Sequence, residues 1–243
     1  METEEHLESL DREGRSLAEV AEKAGVDAAV PTCPGWRVRD LLRHTGAVHR
    51  WATGFVAEGH TSPRPIGDGP DLDGTELLDW FREGHRALVG TLSAAPADTV
   101  CWTFLPAPSP VAFWARRQAH ETAVHRVDAE LAAGGAPRPP AADFAVDGID
   151  ELLLGFHARE KSRVRTGRPA VLRVRATDTD AVWTVRLSDR PPVSERGATA
   201  DAACEIAGPP AGLYLALWNR LPLPEVTGDA SLAALWREKS SVV

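Results

Sequence analysis

The feature that most constrains the fold is a change in the spacing of apolar residues near residue 140. Before this point, apolar side chains recur every three or four residues, which is typical of amphipathic helices. After it, two segments alternate apolar and polar residues, which is typical of half-buried β-strands. The change coincides with a proline-rich stretch at residues 136–140. The sequence therefore predicts two domains, residues 1–140 and residues 141–243.

The first domain is predicted to be a bundle of four helices. The apolar stripes of the first three helices fall within residues 7–24, 38–55 and 77–92, and the segments between them are rich in proline, glycine and aspartate. The fourth helix begins at Ser109 and Pro110, because serine is a preferred capping residue and proline suits the first helical turn. Four amphipathic helices joined by turn-rich loops indicate a helix bundle.

The second domain is predicted to mix helices and strands. Residues 170–176 and 181–187 alternate apolar and polar side chains, and the short polar segment between them predicts a hairpin. A third strand is expected near residues 202–207. Helices are expected at residues 149–159, 213–221 and 232–236. The chain as a whole is therefore predicted to have an α+β fold with two domains.

Composition excludes several classes of protein. The 35 acidic residues outnumber the 27 basic ones, which argues against a nucleic-acid partner. No apolar run approaches the roughly 20 residues that a membrane span needs, and the acidic N-terminus does not resemble a signal peptide. The three cysteines are too few and too scattered for a disulfide framework or a thiolate zinc site. We therefore expect a soluble cytoplasmic protein.

One face of the fourth helix carries an unusual set of polar residues. Arg117, Glu121, His125 and Asp128 lie three or four residues apart, so they project from the same side. One interpretation is a solvated helix face with a Glu–His pair. The other is that Glu121 and His125 are two ligands of a metal ion in the bundle core, which requires a third ligand from another helix.

The second helix offers two histidines as that third ligand. His44 and His49 are five residues apart, so about 140° of helix rotation separates them and only one can face the site. Spacing alone does not choose between them.

A metalloprotease motif is excluded, because His120 and His125 are separated by five residues and point in different directions. Cys33 is a weaker candidate as a nucleophile, since its turn is better explained by packing of Trp36 against the bundle.

The sequence resembles the mycothiol-dependent maleylpyruvate isomerase family of actinobacteria. The resemblance lies in residues 30–44 (VPTCPGWRVRDLLRH) and 120–128 (HETAVHRVD), and in residues 207–220 (AGPPAGLYLALWNR) and 226–229 (VTGD) of the C-terminal part. It implies a DinB-like four-helix bundle followed by a small domain similar to sterol carrier proteins.

The same resemblance implies a set of site residues. A divalent metal, with zinc expected first and iron or nickel as alternatives, would be held by His44, Glu121 and His125. Asp128 matches an acid of the family motif, and Arg220 matches an arginine that faces the site across the domain interface. These two are the expected catalytic residues. Arg117 and Arg64 are expected to bind the anionic cosubstrate or substrate.

The implied activity is that of a metal-dependent enzyme that activates mycothiol, as a thiol S-transferase or a cis–trans isomerase. In the isomerase for which the family is named, the resemblance implies an Ala-Arg-Asn type motif after the second helix, whose arginine suits a dicarboxylate. Residues 61–70 of this chain lack that motif, so we expect a substrate other than maleylpyruvate. The alternatives are a non-haem iron enzyme with the same 2-His-1-carboxylate set, or a non-catalytic module that binds a metal or small molecule. The expected partners are mycothiol and a small electrophile, without nucleic acid or membrane, in a monomer or homodimer.

Overall fold

The computed structural model of the chain describes residues 1–242 and divides into two compact units. The first unit is Met1–Arg138 and the second begins at Pro139. The first is helical, and the second contains a five-stranded sheet with additional helices. The predicted α+β class, with a four-helix bundle followed by a smaller mixed domain, is confirmed.

Four long helices form the N-terminal unit. Helix α1 packs against α4 and α3, and α2 packs against α3 and α4. The side chain of Ser109 accepts a hydrogen bond from the backbone N–H of Ala112, which confirms the predicted start of the fourth helix. The four helices are α1 (Thr3–Ala24), α2 (Val38–Glu58), α3 (Gly74–Ala94) and α4 (Pro110–Ala132).

Helix α4 is buried on all of its sides, unlike a surface helix with one apolar stripe. Its buried positions include Arg117, His125 and Asp128, which are at most 7% exposed. The solvated face considered for these residues is therefore wrong. Because unpartnered charges are costly in a protein interior, the polar side chains of α4 must find partners on the helices and turns around them.

The C-terminal unit begins with α5 (Ala142–Asp150), which continues as a π-helical segment at Glu151–Phe156. This helix starts earlier than the sequence predicted. The sheet order is β3-β2-β1-β4-β5; β1 and β4 are parallel, and the other neighbouring pairs are antiparallel. The strands are β1 (Ala170–Ala176), β2 (Val182–Leu187), β3 (Val193–Arg196), β4 (Cys204–Gly208) and β5 (Glu225–Gly228).

The predicted hairpin is confirmed, with Val174 of β1 opposite Trp183 of β2. The edge strands β3 and β5 were not predicted from the sequence, because each has only four residues and lies mostly at the surface. Two helices, α6 (Pro210–Leu217) and α7 (Ala230–Lys239), complete the unit. None of the helices within residues 1–242 combines the length and apolar character needed to cross a membrane.

Candidate metal site in the helix bundle

Helices α2 and α4 bring His44, Glu121 and His125 together. One potential ligand atom from each residue lies within 4.8 Å of the others. The Nε2 atom of His44 is 3.4 Å from Oε1 of Glu121, and the Nε2 atom of His125 is 3.2 Å from the same oxygen. Three potential ligands from two helices therefore converge on one point inside the bundle.

His49, the other histidine of α2, lies elsewhere in the core. Its Nε2 atom is 2.9 Å from Oγ1 of Thr122, and its ring is 5.5 Å from those of Phe81 and His85. Burial and the neighbouring His85 hold the pKa of His49 well below its usual value. The two histidines thus occupy different environments, and it is His44 that the structure places beside Glu121 and His125.

The spacing of the three ligand atoms fits a small divalent cation. Zinc binds nitrogen and oxygen ligands at about 2.0–2.2 Å, so two ligands of a tetrahedral site are separated by about 3.3 Å. The observed separations of 3.2 and 3.4 Å match this value. Two histidines and one carboxylate also form a donor set that suits zinc, iron and nickel, so the donors alone do not select one metal.

The hydrogen bonds of His125 show why this point attracts positive charge. Its Nδ1–H donates to Oδ2 of Asp128 at 2.9 Å, which directs the Nε2 lone pair towards Glu121. A lone pair on nitrogen and a carboxylate oxygen at 3.2 Å repel each other unless a proton or a cation lies between them. The residues present therefore fit a bound metal ion, and Asp128 fits the carboxylate that commonly accepts a hydrogen bond from a ligating histidine.

The pKa values of the metal-free protein follow from the same contacts. Burial by itself would lower the pKa of His125, but hydrogen bonds to Asp128 and Glu121 and the charges of both carboxylates raise it to about 9. Burial by itself would raise the pKa of Glu121, but hydrogen bonds from His125 and His44 hold it well below its usual range. The metal-free cluster thus keeps its carboxylate ionised and holds a proton where the cation would bind.

The turn between α1 and α2 covers Asp128 and the two histidine rings. Oγ1 of Thr32 donates to Oδ1 of Asp128 at 2.5 Å, and Sγ of Cys33 lies 3.7 Å from Oδ2. The Trp36 ring lies 5.1 Å from that of His44, and it stacks on His125 at 6.5 Å with an angle of 21° between the planes. The predicted packing of Trp36 against the bundle thus includes the site itself.

The contributions of Thr32 and Trp36 were missed in the sequence analysis, although both residues lie in the segment that carries the family resemblance. The available signal was the short Cys-Pro-Gly turn just before α2, because such a turn returns the chain to the helix that carries His44. Gly35 has a φ of +86°, a conformation that favours glycine.

The three arginines expected at the site occupy different positions. Arg117 is almost completely buried, and its Nη2 atom is 3.3 Å from Oε2 of Glu121. Arg64 lies on the loop between α2 and α3, where its side chain is 3.3 Å from Nδ1 of His60. Arg220 follows α6 in the C-terminal unit and donates to the backbone oxygen of Trp218 at 2.8 Å. Of the three, Arg117 is the one that these contacts join to the ligand cluster.

The fold and the cluster together define a two-domain protein with a 2-His-1-carboxylate set inside a four-helix bundle. Residues 7–130 match the family model of the mycothiol maleylpyruvate isomerase N-terminal domain, and residues 143–235 match that of the MDMPI C-terminal domain. The chain belongs to the mycothiol maleylpyruvate isomerase family, as the sequence predicted.

Two crystal structures share the fold across both units. One is of a mycothiol-dependent maleylpyruvate isomerase, with a TM-score of 0.62 and 13% sequence identity. The other is of a histidine-to-alanine mutant of the mycothiol-dependent maleylpyruvate isomerase, with a TM-score of 0.64 and 12% identity. Each comparison covers 90% of this chain and 90% of the other. No curated protein sequence matches this chain significantly.

Proposed function

We propose that the protein is a metal-dependent enzyme that uses mycothiol to transform a small electrophile, as a cis–trans isomerase or a thiol S-transferase. The observation that carries the proposal is the convergence of His44, Glu121 and His125, in a chain whose family and solved relatives are named for a mycothiol-dependent isomerase. Zinc is the first choice of metal, and iron and nickel are alternatives.

The three ligands leave room for a substrate atom. A site with three protein ligands keeps at least one coordination position open, which is typical of catalytic rather than structural metal sites. The side chains of His44 and Glu121 are 36% and 23% exposed, so a small molecule can approach the cluster from their side. His125 is more deeply buried, and its other ring nitrogen, Nδ1, contacts Asp128.

The chain's own charges favour an anionic ligand once a metal is present. When bound, a divalent ion would stabilise the thiolate form of a thiol and thereby supply the nucleophile. A bound metal replaces the proton of His125, so the carboxylates of Glu121 and Asp128 and the buried Arg117 then give the protein side of the cluster one net negative charge. A divalent cation reverses the sign of this charge, and a single thiolate then neutralises it.

The two reactions differ in the step after thiolate addition to a carbon–carbon double bond. An isomerase expels the thiolate again after rotation about the new single bond, whereas a transferase keeps the thioether once the carbanion left by addition is protonated; with a halogenated bimane the thiolate instead displaces halide. We further propose that Arg117 and Arg64 bind anionic groups of mycothiol or the substrate, and that Arg220 acts on the substrate. Because Asp128 is completely buried, its proposed role is to orient His125.

The three free cysteines agree with the proposed cytoplasmic location.

The test combines metal analysis with turnover. The purified protein is expected to contain a stoichiometric divalent metal and to consume mycothiol or isomerise a test electrophile, with maleylpyruvate and a halogenated bimane as the two probes. Glu121→Gln is expected to lose both properties. Glu58→Gln is the matched control, because Glu58 pairs with His60 at the end of α2 and does not belong to the cluster.

Two outcomes would contradict the proposal. Full metal occupancy that survives both His44→Ala and Glu121→Ala would refute the site. Thermal stabilisation by mycothiol without turnover of either probe would favour a non-catalytic binding module.

A further inference from the structure

The carboxylate of Asp128, which contacts His125, is also held by the turn between α1 and α2, at residues 30–36. We propose that Thr32 and Cys33 of this turn are positioning residues, which fix Asp128 and thereby set the affinity and geometry of the metal site. This inference rests on the proposed metal site and adds to it residues that do not touch the metal.

The carboxylate of Asp128 is completely buried and receives donors on both of its oxygens. Thr32 donates to Oδ1 at 2.5 Å, while His125 donates to Oδ2 at 2.9 Å. The thiol of Cys33 is the third donor, at 3.7 Å from Oδ2. A buried carboxylate needs such donors because it has lost its water. The same donors prevent the carboxylate from rotating, so the direction of its bond to His125 is fixed.

The orientation of His125 depends on that bond. A ligating histidine that donates its second ring N–H to a carboxylate is fixed in tautomer and ring direction, and its ligand nitrogen becomes more basic. Thr32 therefore acts on the metal through Asp128 and His125. Its contribution is expected to exceed that of Cys33, because the thiol is a weak donor at a longer distance.

The turn itself is well anchored, so its donors are fixed before any metal binds. The backbone N–H of Val30 donates to the oxygen of Trp36 at 2.9 Å, and the N–H of Trp36 donates to the oxygen of Cys33 at 2.9 Å. The N–H of Val38, at the start of α2, donates to the oxygen of Ala28 at 2.9 Å. The first two bonds close the turn on itself, and the third ties the start of the helix that carries His44 to the segment just before the turn.

The experiment measures binding of zinc and cobalt alone to the full chain. Zinc affinity is measured by competition with a chromophoric chelator, and the visible spectrum of bound Co²⁺ reports the geometry of the ligands. Thr32→Val is expected to weaken zinc binding about 10-fold and to change the cobalt spectrum; this is the low end of the 10–100-fold cost of losing a direct partner of a ligand, because Thr32 acts one contact further out. Thr32→Ser keeps the hydroxyl and is expected to restore both properties.

The matched control is Thr53→Val. This change also removes a threonine hydroxyl from the N-terminal unit, but that hydroxyl donates to the backbone oxygen of His49 within α2. It is expected to leave zinc affinity and the cobalt spectrum unchanged. Cys33→Ala is expected to have a smaller effect than Thr32→Val, and Cys101→Ala, at a buried cysteine on the loop before α4, is its control.

A double-mutant cycle separates positioning from general stability. If Thr32 acts through Asp128, Thr32→Val has no further effect on zinc affinity in a protein that already carries Asp128→Asn. Equal effects of Thr32→Val in both backgrounds would overturn the inference. So would wild-type zinc affinity and cobalt spectrum in folded Thr32→Val. If that variant does not fold, Thr32→Ala replaces it in the same cycle.

The result for the wild type distinguishes the two proposals. A wild-type protein that binds neither zinc nor cobalt refutes the metal site and the proposed function with it. A wild-type protein that binds both ions, together with an unaffected Thr32 variant, refutes only the role of the turn.

Discussion

Two pairs of histidines in the same helix bundle have opposite electrostatic environments. His44 and His125 lie beside the carboxylate of Glu121, and His125 also contacts Asp128. His49 and His85 have rings 5.5 Å apart and lie against Phe81. The first pair is partly open to solvent at His44, whereas both members of the second pair are buried.

The difference in pKa follows from the neighbours rather than from burial alone. His125 and His49 are both buried, but the pKa of His125 is raised to about 9 while that of His49 is held well below its usual value. Carboxylates in hydrogen-bond contact offset the cost of burying a charge at His125. No carboxylate makes such a contact with His49, whose described partner is the hydroxyl of Thr122. The first pair therefore attracts a cation, and the second remains neutral.

The largest expected effect is on zinc affinity, which should fall when the first pair of histidines is altered but not when the second pair is. His44→Ala and Glu121→Gln are each expected to weaken zinc binding by more than about 100-fold, since they remove a ligand rather than a partner of a ligand. His49→Gln is the matched control and is expected to change zinc affinity little. Chelator competition measures all three proteins. A similar loss of zinc in His49→Gln would show that the two pairs are not independent.

Metal removal is expected to lower stability only where the first pair is intact. At a free zinc concentration 100 times the dissociation constant, binding stabilises the folded protein by about 2.7 kcal/mol. Urea unfolding with and without a chelator measures this difference in the wild type. His44→Ala is expected to unfold at the same urea concentration under both conditions. A chelator effect that persists in this variant would place the stabilising metal at another site.

His157 extends the comparison to a buried histidine of the C-terminal unit, whose described polar partner is a hydroxyl. Burial lowers the pKa of His157 to about 4, and its Nδ1 atom is 3.1 Å from Oγ of Ser162. Because this pKa lies below the value of about 6.5 for an unfolded chain, the unfolded state binds the proton more readily. The neutral ring thus favours folding above about pH 6.5, and this contribution is lost as the pH falls towards 4.

The expected loss from this group between pH 7 and pH 5 is about 2 kcal/mol in the free energy of unfolding. It is obtained by comparing urea unfolding of the wild type and His157→Gln at both pH values, so that other titrating groups cancel. Tryptophan fluorescence is a suitable signal, because the Trp236 ring lies 4.7 Å from His157. Equal pH dependence in the two proteins would contradict the lowered pKa.

The smallest expected effect comes from the Thr122 hydroxyl, which is the hydrogen-bond partner of His49 in the second pair. Thr122→Val removes the hydrogen-bond partner of His49 and is expected to lower the free energy of unfolding by about 1 kcal/mol. Zinc affinity is expected to stay at the wild-type value, because Thr122 contacts His49 rather than a ligand. Urea unfolding and chelator competition on the same preparation test both statements. A fall in zinc affinity would mean that the second pair supports the first.

The sequence predicted much of the fold because its signals are local. The three- and four-residue spacing of apolar side chains identified four helices, and the Ser109–Pro110 pair identified the start of α4. Strict alternation predicted the hairpin of β1 and β2. The edge strands β3 and β5 escaped prediction because four exposed residues carry too little pattern, and they become strands only by pairing with β2 and β4.

The candidate site was also partly predictable, because the spacing of two of its residues is a local feature of the sequence. The four-residue spacing of Glu121 and His125 places both on one face of a helix, whatever surrounds that helix. The choice between His44 and His49 depends on how α2 is rotated against α4. The spacing of residues along one helix carries no information about that rotation. The family resemblance favoured His44, and the packing of the two helices places it beside Glu121.

By itself, the sequence determined the helical bundle, the change to a mixed α+β unit and the pairing of Glu121 with His125. These properties depend on residues close together in the chain. Tertiary structure alone decided that the polar face of α4 is buried and that Thr32 reaches Asp128 across 96 residues of sequence. The packing of α2 against α4 brings His44 rather than His49 to that face, as the family resemblance favoured. The reason is physical, because a buried charge takes its pKa and its role from whichever side chains the fold brings into contact with it.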